Sequence, residues 1–282
     1  MSIFASKEQE LRDYEGDDKV VPATEMKERV FAAAYNPTKF FAGMTSLDSI
    51  IEGFEGGELI VISGPTKQGK TTFSQTLTAN FEKQDVKSLW FSYEVSMRQL
   101  FEKFVKAKDF YLPQRLVPKN LDWLEERVIE AKLKYNIKAV FIDHLHYIVD
   151  MEKSRNQSIE IGTVIRRLKT IANTHNIVIF LMAHLTKTKY EEAPTESDIR
   201  DSSFITQEAD CTLLIWRERM KNRKSKMFDY TGLTAVIIAN HRRTGVLGKV
   251  IKLKFLDKML LEVDSTHTNE DIGSKEQDEI DL

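Results

Sequence analysis

The chain has 282 residues, of which 41% are hydrophobic and 30% charged, and a formal net charge of −2 at pH 7. That length suits one large α/β core, and no apolar run approaches the ~18 residues needed to span a bilayer. Near-neutral charge excludes nucleic-acid binding through overall basicity, so any such contact must come from local basic loops.

Residues 1–36 open polar and acidic, without a basic stretch followed by a long apolar one, so no secretory signal is expected. A cytoplasmic location follows, in a bacterium or, for a viral chain, in its host. Met26, Val30, Phe31 and Ala34 then share one side of a short amphipathic segment, 24–34, which Pro37 ends. Residues 37–263 alternate apolar strands with helical periods, and 264–282 form an acidic tail expected to be disordered.

The most informative stretch is Gly64-Pro65-Thr66-Lys67-Gln68-Gly69-Lys70-Thr71, which completes the pattern G-x-x-x-x-G-K-[ST]. The apolar run Leu59-Ile60-Val61-Ile62 precedes it, and a helix-compatible stretch from Thr72 to Phe81 follows. Glycines let backbone N–H groups curl around phosphate oxygens, and the new helix aims its positive end at the anion. Lys70 is placed to reach β- and γ-phosphates, and Thr71 to hold Mg²⁺ through its hydroxyl. The pattern predicts a nucleoside triphosphate site, with ATP and Mg²⁺ as its ligands.

Further strands are predicted at 88–93, 138–143, 176–183, 211–216, 233–240 and 249–256, after the first at 59–63. Between the third and fourth, Ile161, Val164, Ile165, Leu168, Ile171 and Ala172 recur at helical spacing, with Arg166, Arg167 and Lys169 on the other side. Continuously apolar strands such as 139–142 and 177–181 imply helices on both sheet faces. Thr244-Gly245 and Gly248 predict a hairpin joining the last two strands. Cys211, the single cysteine, lies in an apolar run and reads as a buried thiol. The expected fold is α/β, a mostly parallel twisted sheet with helices on both faces and an antiparallel edge.

In such sheets, function collects at the carboxyl ends of the strands. The second strand leads to Glu94, the third ends in Asp143, and the fourth ends at His184. Nucleotide hydrolysis needs a carboxylate for Mg²⁺ and a second that orients water for in-line displacement. Asp143 suits the metal because it directly ends an apolar strand, and Glu94 then positions the water. His184 is placed to sense the γ-phosphate and pass its state to the following loop. A basic run from Arg217 to Lys226 is expected in a connection between two strands, as a solvated loop.

The middle block resembles the RecA-like ATPase domain of DnaB-type replicative helicases, phage primase–helicases and the helicase twinkle. The resemblance covers about residues 40–257. It rests on 43–54 (Gly-Met-Thr-Ser-Leu-Asp-Ser-Ile-Ile-Glu-Gly-Phe), the phosphate loop, 91–95 (Phe-Ser-Tyr-Glu-Val) and 141–145 (Phe-Ile-Asp-His-Leu). Narrower still are 197–203 (Ser-Asp-Ile-Arg-Asp-Ser-Ser), 207–210 (Gln-Glu-Ala-Asp) and 240–245 (Asn-His-Arg-Arg-Thr-Gly). It implies that Glu94 is the catalytic glutamate and Asp143 the Mg²⁺-linked aspartate. His184 stands where DnaB-type enzymes usually have glutamine, as in the phage and twinkle branch.

The family completes each active site with a basic finger from the next subunit, in a Lys-x-Arg motif. Arg242 or Arg243 must fill that role here, and Asn240 or His241 stands where the lysine belongs. The resemblance also implies channel loops carrying Lys153, Arg155, Lys187, Lys189 and Arg200 to single-stranded DNA, in a homo-oligomer, a hexamer by family habit. Phosphate contacts of that kind read no sequence. A primase, polymerase or helicase loader would be a further partner, and no membrane is involved. Residues 1–36 are too short for a collar or primase domain, which points to a minimal motor or to one that borrows those functions from partners. The implied activity is an ATP-dependent DNA helicase in replication. A RecA/RadA-type recombinase or mediator, and a signalling or scaffold ATPase, share the same core. ATPase stimulation by single strands and unwinding of a forked duplex separate the three.

Overall fold

The computed structural model describes residues 3–16, 18–32, 38–104, 106–149, 157–185, 193–199, 202–221 and 228–263. The chain divides into two compact units, Met1–Pro37 and Thr38–Leu282. The first contains α1 (Ile3–Arg12) and α2 (Ala23–Ala32). On α2, Met26 is exposed. The side chains of Val30 and Phe31, and all of Ala34, lie outside the described residues, as does the acidic tail 264–282.

The second unit opens with β1 (Lys39–Phe40), α3 (Thr45–Ile51) and β2 (Phe54–Glu55), where β1 and β2 form a small antiparallel pair. Then come β3 (Leu59–Gly64), α4 (Lys70–Glu82), β4 (Ser88–Ser92), α5 (Met97–Lys103), β5 (Phe110–Tyr111), α6 (Leu121–Tyr135) and β6 (Ala139–Asp143). After these follow α7 (Gln157–His175), β7 (Val178–His184), α8 (Ser202–Glu208), β8 (Cys211–Lys221), β9 (Phe228–His241), β10 (Val246–Leu256) and β11 (Met259–Glu262).

Nine strands form one sheet in the order β11-β10-β9-β8-β3-β7-β6-β4-β5. From β8 to β5 every pairing is parallel, and β9, β10 and β11 complete the sheet antiparallel. Parallel strands must be buried on both faces because their crossovers lay helices across each. The side chains show this with period two. Ile60 and Ile62 join one core with Phe73, Leu77 and Phe81 of α4, while Leu59 and Val61 join a second core with α6 and α7. All six apolar positions expected along α7 are buried in that second core. Arg166 and Arg167 are exposed, but Lys169 turns inward to the Gly57 carbonyl (2.8 Å) and Asp210 (2.5 Å). Cys211 is buried and free.

The first core is an aromatic stack built by strand register. Trp90, Phe141 and Phe180 stand opposite one another on β4, β6 and β7. Their rings stack at 4.6 Å between neighbours, each pair 13° from parallel. Phe54 and Phe81 also pack against Phe180, at 5.0 and 5.6 Å between ring centroids.

Strand β8 runs past the predicted end at 216 to Lys221, and β9 begins at Phe228. Arg217 to Lys221 are therefore strand residues rather than a solvated connection. Arg217 and Arg219 lie over the Tyr230 ring, at 4.3 and 4.7 Å from its centroid, and this packing carries the ladder outward. The hairpin between β9 and β10 is present, pairing His241 with Val246, with Gly245 at φ +69 in the turn.

Phe141 touches stacked rings on both sides and has no exposed surface. Replacing it with alanine is expected to cost about 3–5 kcal/mol, read as a lower urea midpoint at unchanged slope.

Candidate active site

At the carboxyl end of β3 the chain must turn sharply into α4, and local geometry selects glycine there. Gly64 has φ +152, and a Cβ would approach the Ile215 carbonyl oxygen to 2.2 Å. Gly69, at φ +102, is the N-cap of α4. Pro65, Thr66, Lys67 and Gln68 form the loop between them, with Lys67 itself at φ +62. Gln68 pins this loop to the sheet, its side-chain oxygen accepting the Arg217 N–H at 2.9 Å. Lys70 is buried, and its ammonium donates to the Gly64 and Pro65 carbonyls at 2.8 and 3.1 Å.

Parallel register brings the other strand ends to the same level. Gly64 stands opposite His184, Ser92 opposite Asp143, and Asp143 opposite Met182. A cleft of about 300 Å³ is lined there by Thr66, Lys67, Gly69, Lys70, Thr71, Thr72, Glu94, Val95, Lys103 and His184. Glu94 is not needed as a helix cap, since Ser96 and Gln99 close a reciprocal capping box at the start of α5.

Burial pushes Lys70, Asp143 and His184 toward their neutral forms. Lys70 is lowered to about 8 by desolvation, against the pull of Glu94 and Asp143. Asp143 is raised to about 6, first by burial and then by the like charge of Glu94, with Lys70 and Lys103 opposing. His184 is lowered to about 4 by burial, then by Lys70, His144 and His146. At neutral pH its imidazole is uncharged, a hydrogen-bonding group rather than a cation. Its ring lies 4.4 Å from that of His144, which holds a left-handed φ of 89° directly after Asp143.

Asp143 carries the clearest sign of a missing ligand. One carboxylate oxygen, Oδ2, is buried without a hydrogen-bond partner among the described residues. An orphaned carboxylate oxygen, near enough to Lys70 and Glu94 to feel their charges, would suit a divalent cation such as Mg²⁺, for which Asp143 and the Thr71 hydroxyl would be candidate ligands.

A second cleft, of about 280 Å³, adjoins the first and shares Lys67, Gly69 and Thr72 with it. Arg217, Thr234, Phe255 and Leu260 make its far wall. Sequence reasoning missed these four because only the β8–β9–β10–β11 ladder brings them together. A larger cleft, about 520 Å³, sits at the β5 edge between Tyr111, Trp123 and Tyr135, away from the phosphate loop. Size does not make it the active site, because it is lined by none of the groups above.

Arg242 and Arg243 are not in this cleft. They occupy the β9–β10 turn at the opposite end of the strands, beside Asp210 and Glu58. The guanidinium of Arg243 is fully engaged. It meets Glu58 at 3.1 Å and Glu55 at 3.2 Å, and donates to the Ile51 and Gly53 carbonyls at 2.9 and 2.6 Å. Arg242 is 55% exposed, donating to the Gln207 carbonyl at 2.5 Å and lying 3.7 Å from Asp210. Asn240 bonds to Glu196 and to Thr212, and His241 is buried against Thr244. The basic residues Lys153, Arg155, Lys187, Lys189 and Arg200 lie outside the described residues.

Asp143→Asn removes a charge whose burial is unfavourable. It is expected to raise the stability of the protein measured without nucleotide at neutral pH by about 1–3 kcal/mol, as a higher melting temperature.

The DnaB-like helicase C terminal domain model matches residues 40–111 and 114–261. A probable replicative DNA helicase of Trieres chinensis is 29% identical, across 76% of this chain and 54% of its own length. The replicative helicase DnaB of Rickettsia prowazekii is 27% identical across 74% and 54%, and that of Haemophilus influenzae 25% across 90% and 62%. The chain thus spans about half the length of the first of these relatives. Among solved structures, an isolated ATPase domain superposes with a TM-score of 0.70 at 18% identity, over 86% of this chain and 97% of its own. A DnaB-like replicative helicase, studied with its interactions with primase, gives 0.69 at 19%, over 92% and 71%. These two likenesses establish the RecA-like fold. With the family match running through both the phosphate loop and the Arg242–Arg243 turn, the chain belongs to the DnaB-like helicase C terminal domain family.

Proposed function

We propose that this chain is an ATP-dependent DNA helicase motor of the replicative type, acting on single-stranded DNA as a ring of identical subunits, a hexamer by family habit. The observation that carries the reading is the separation of the two halves of its chemistry. The nucleotide cleft lies at one end of the sheet, and the exposed Arg242 at the other. Along β9, Thr234 lines the cleft region and His241 precedes Arg242. Those seven steps at about 3.3 Å each amount to roughly 23 Å. Arg242 therefore cannot serve its own subunit's nucleotide. A surface with a cleft on one side and its complement on the other joins head to tail, and such contacts close into rings.

In this reading, ATP phosphates lie on the loop 64–69 and the N-terminus of α4, with Lys70 on the β- and γ-phosphates and Thr72 at the loop's exit. Thr71 and Asp143 hold Mg²⁺, which when bound neutralises charge on the phosphates. One carboxylate and one hydroxyl suit Mg²⁺, which usually completes its shell with phosphates and waters. The adjoining cleft, with Arg217 and Phe255, is where the base sits. Glu94 orients water, whose oxygen bonds the γ-phosphorus as the bond to the β–γ bridging oxygen breaks. ADP and phosphate leave, and the proton passes to phosphate or solvent. Neutral His184 hydrogen-bonds the terminal phosphate and relays its presence through His144 to the segment after β6. Arg242, rather than the engaged Arg243, reaches the neighbour's phosphate. Lys153, Arg155, Lys187, Lys189 and Arg200 contact the DNA backbone, and a primase, polymerase or loader is a candidate further partner.

Arg242→Ala is expected to lower kcat about 10³–10⁵-fold with nucleotide affinity little changed. Mixing Arg242→Ala with Lys70→Ala subunits, each inactive alone, should restore turnover, because intact loops and intact fingers then meet across the seam. Failure to restore it would remove the trans arrangement. Glu94→Gln should bind ATP and DNA yet turn over about 10²–10⁴-fold more slowly. Forked-duplex unwinding by wild type, absent from Lys70→Ala, tests the motor itself. A monomer hydrolysing ATP at full speed, indifferent to DNA, would sink it.

A further inference from the structure

Lys103 is a cation in the nucleotide cleft to which no role has been given. It is the last residue of α5, a seven-residue helix whose Ser96 cap follows two residues after Glu94. Because the helix is so short, the chain leaves the cleft at Glu94 and brings Lys103 back to the same cleft, beside Val95. Its neighbour Lys106 is neutralised by an ion pair with Asp257. Lys103 is exposed and makes no ion pair among the described residues.

The cleft's charge pattern gives this cation a task. Lys70 is committed to the loop side, with its ammonium on the Gly64 and Pro65 carbonyls. The same cleft is lined by Glu94, and Lys103 lines it with Glu94 and Val95. A terminal phosphate placed between Lys70 and Glu94 meets a like charge on the side from which water must attack, a repulsion that a cation beside the carboxylate offsets. Negative charge spreads over the terminal oxygens during transfer, and a fixed cation is worth most where that charge develops.

We propose that Lys103 is a catalytic residue acting in cis, its ammonium contacting the terminal phosphate oxygens from the Glu94 side, opposite Lys70. This rests on the reading of the cleft as an ATP hydrolysis site. It makes each subunit supply two cations to its own nucleotide before the neighbour's arginine arrives.

The test compares Lys103→Met, Lys103→Arg, Lys70→Ala and wild type in the full chain, measuring DNA-stimulated turnover and equilibrium binding of ATP and ADP. Lys103→Met is expected to lower kcat about 10²-fold, a loss typical of one removed charge-stabilising donor. ATP binding should weaken while ADP binding stays within about twofold, and Lys103→Arg should recover most of kcat. An exposed lysine tolerates these changes, so unaltered circular dichroism and unfolding midpoint accompany the result. A Lys103→Met protein with kcat within about twofold of wild type overturns the proposal, as does equal weakening of ATP and ADP. If Lys70→Ala hydrolyses ATP normally, the cleft itself loses its assignment, and the Lys103 role falls with it.

Discussion

Strand β3 cannot slide, and everything functional in this molecule depends on that. It is paired in parallel on both sides, to β7 and β8, and buried along its whole length. Its amino end is fastened by charge. Asp210 accepts the Leu59 N–H at 2.8 Å and the Lys169 ammonium at 2.5 Å, and its own carbonyl accepts the Arg242 N–H at 2.7 Å. Glu58, raised by burial, takes Arg243 at 3.1 Å. Removing one member of such a buried set strands the others, typically at a cost of about 3–5 kcal/mol. One rigid strand therefore carries the phosphate loop at its carboxyl end and the scaffold of the Arg242 turn at its amino end.

At the loop end, the energetics run the other way. Lys70, Asp143 and His184 are all driven toward neutrality by burial, and Asp143 keeps an unpartnered oxygen. The site destabilises the fold when empty of charge partners, and an anion with its cation restores them. In the proposed reading, binding energy from a triphosphate with Mg²⁺ would go into stabilising the charges of Lys70 and Asp143, groups already held in place, as preorganised electrostatic catalysis requires. His144 belongs to the same balance. A non-glycine residue at φ 89, against the His184 ring, stores a conformational cost directly after Asp143.

The two ends solve one problem together. A subunit that held its own arginine beside its own phosphate would hydrolyse ATP without a neighbour. Placing Arg242 about a strand's length away, and tying Arg243 down to keep that turn stiff, makes turnover a property of the assembly in the proposed reading. In the same reading, the adjoining cleft of Arg217 and Phe255 extends the nucleotide's footprint onto the antiparallel strands, next to the ladder that ends in the turn.

Much of this was legible in residue order. Gly64 to Thr71 specify a turn that needs glycine at Gly64 and Gly69 and a lysine placed to meet an anion. The buried strands announce themselves as apolar runs, and α7 by its 3.6 period, because both are local consequences of facing a core. Asp143 and His184 were readable as strand ends, since parallel sheets gather their chemistry there. The extension of β8 through Arg217 and Arg219 was not, because charged residues in that strand are held by stacking on Tyr230, a partner on the next strand. Nor was the division of labour between Arg242 and Arg243: two adjacent arginines are equivalent in a sequence until Glu52, Glu55 and Glu58 close around one of them. Phe255 and Lys103 entered the site the same way, one by strand pairing and the other by a short helix folding back. The sequence by itself determined which residues could bind a phosphate, because that motif is contiguous and its geometry is local. Only the tertiary structure decided which cations face the nucleotide and which brace the fold, because that depends on distances between segments far apart in the chain.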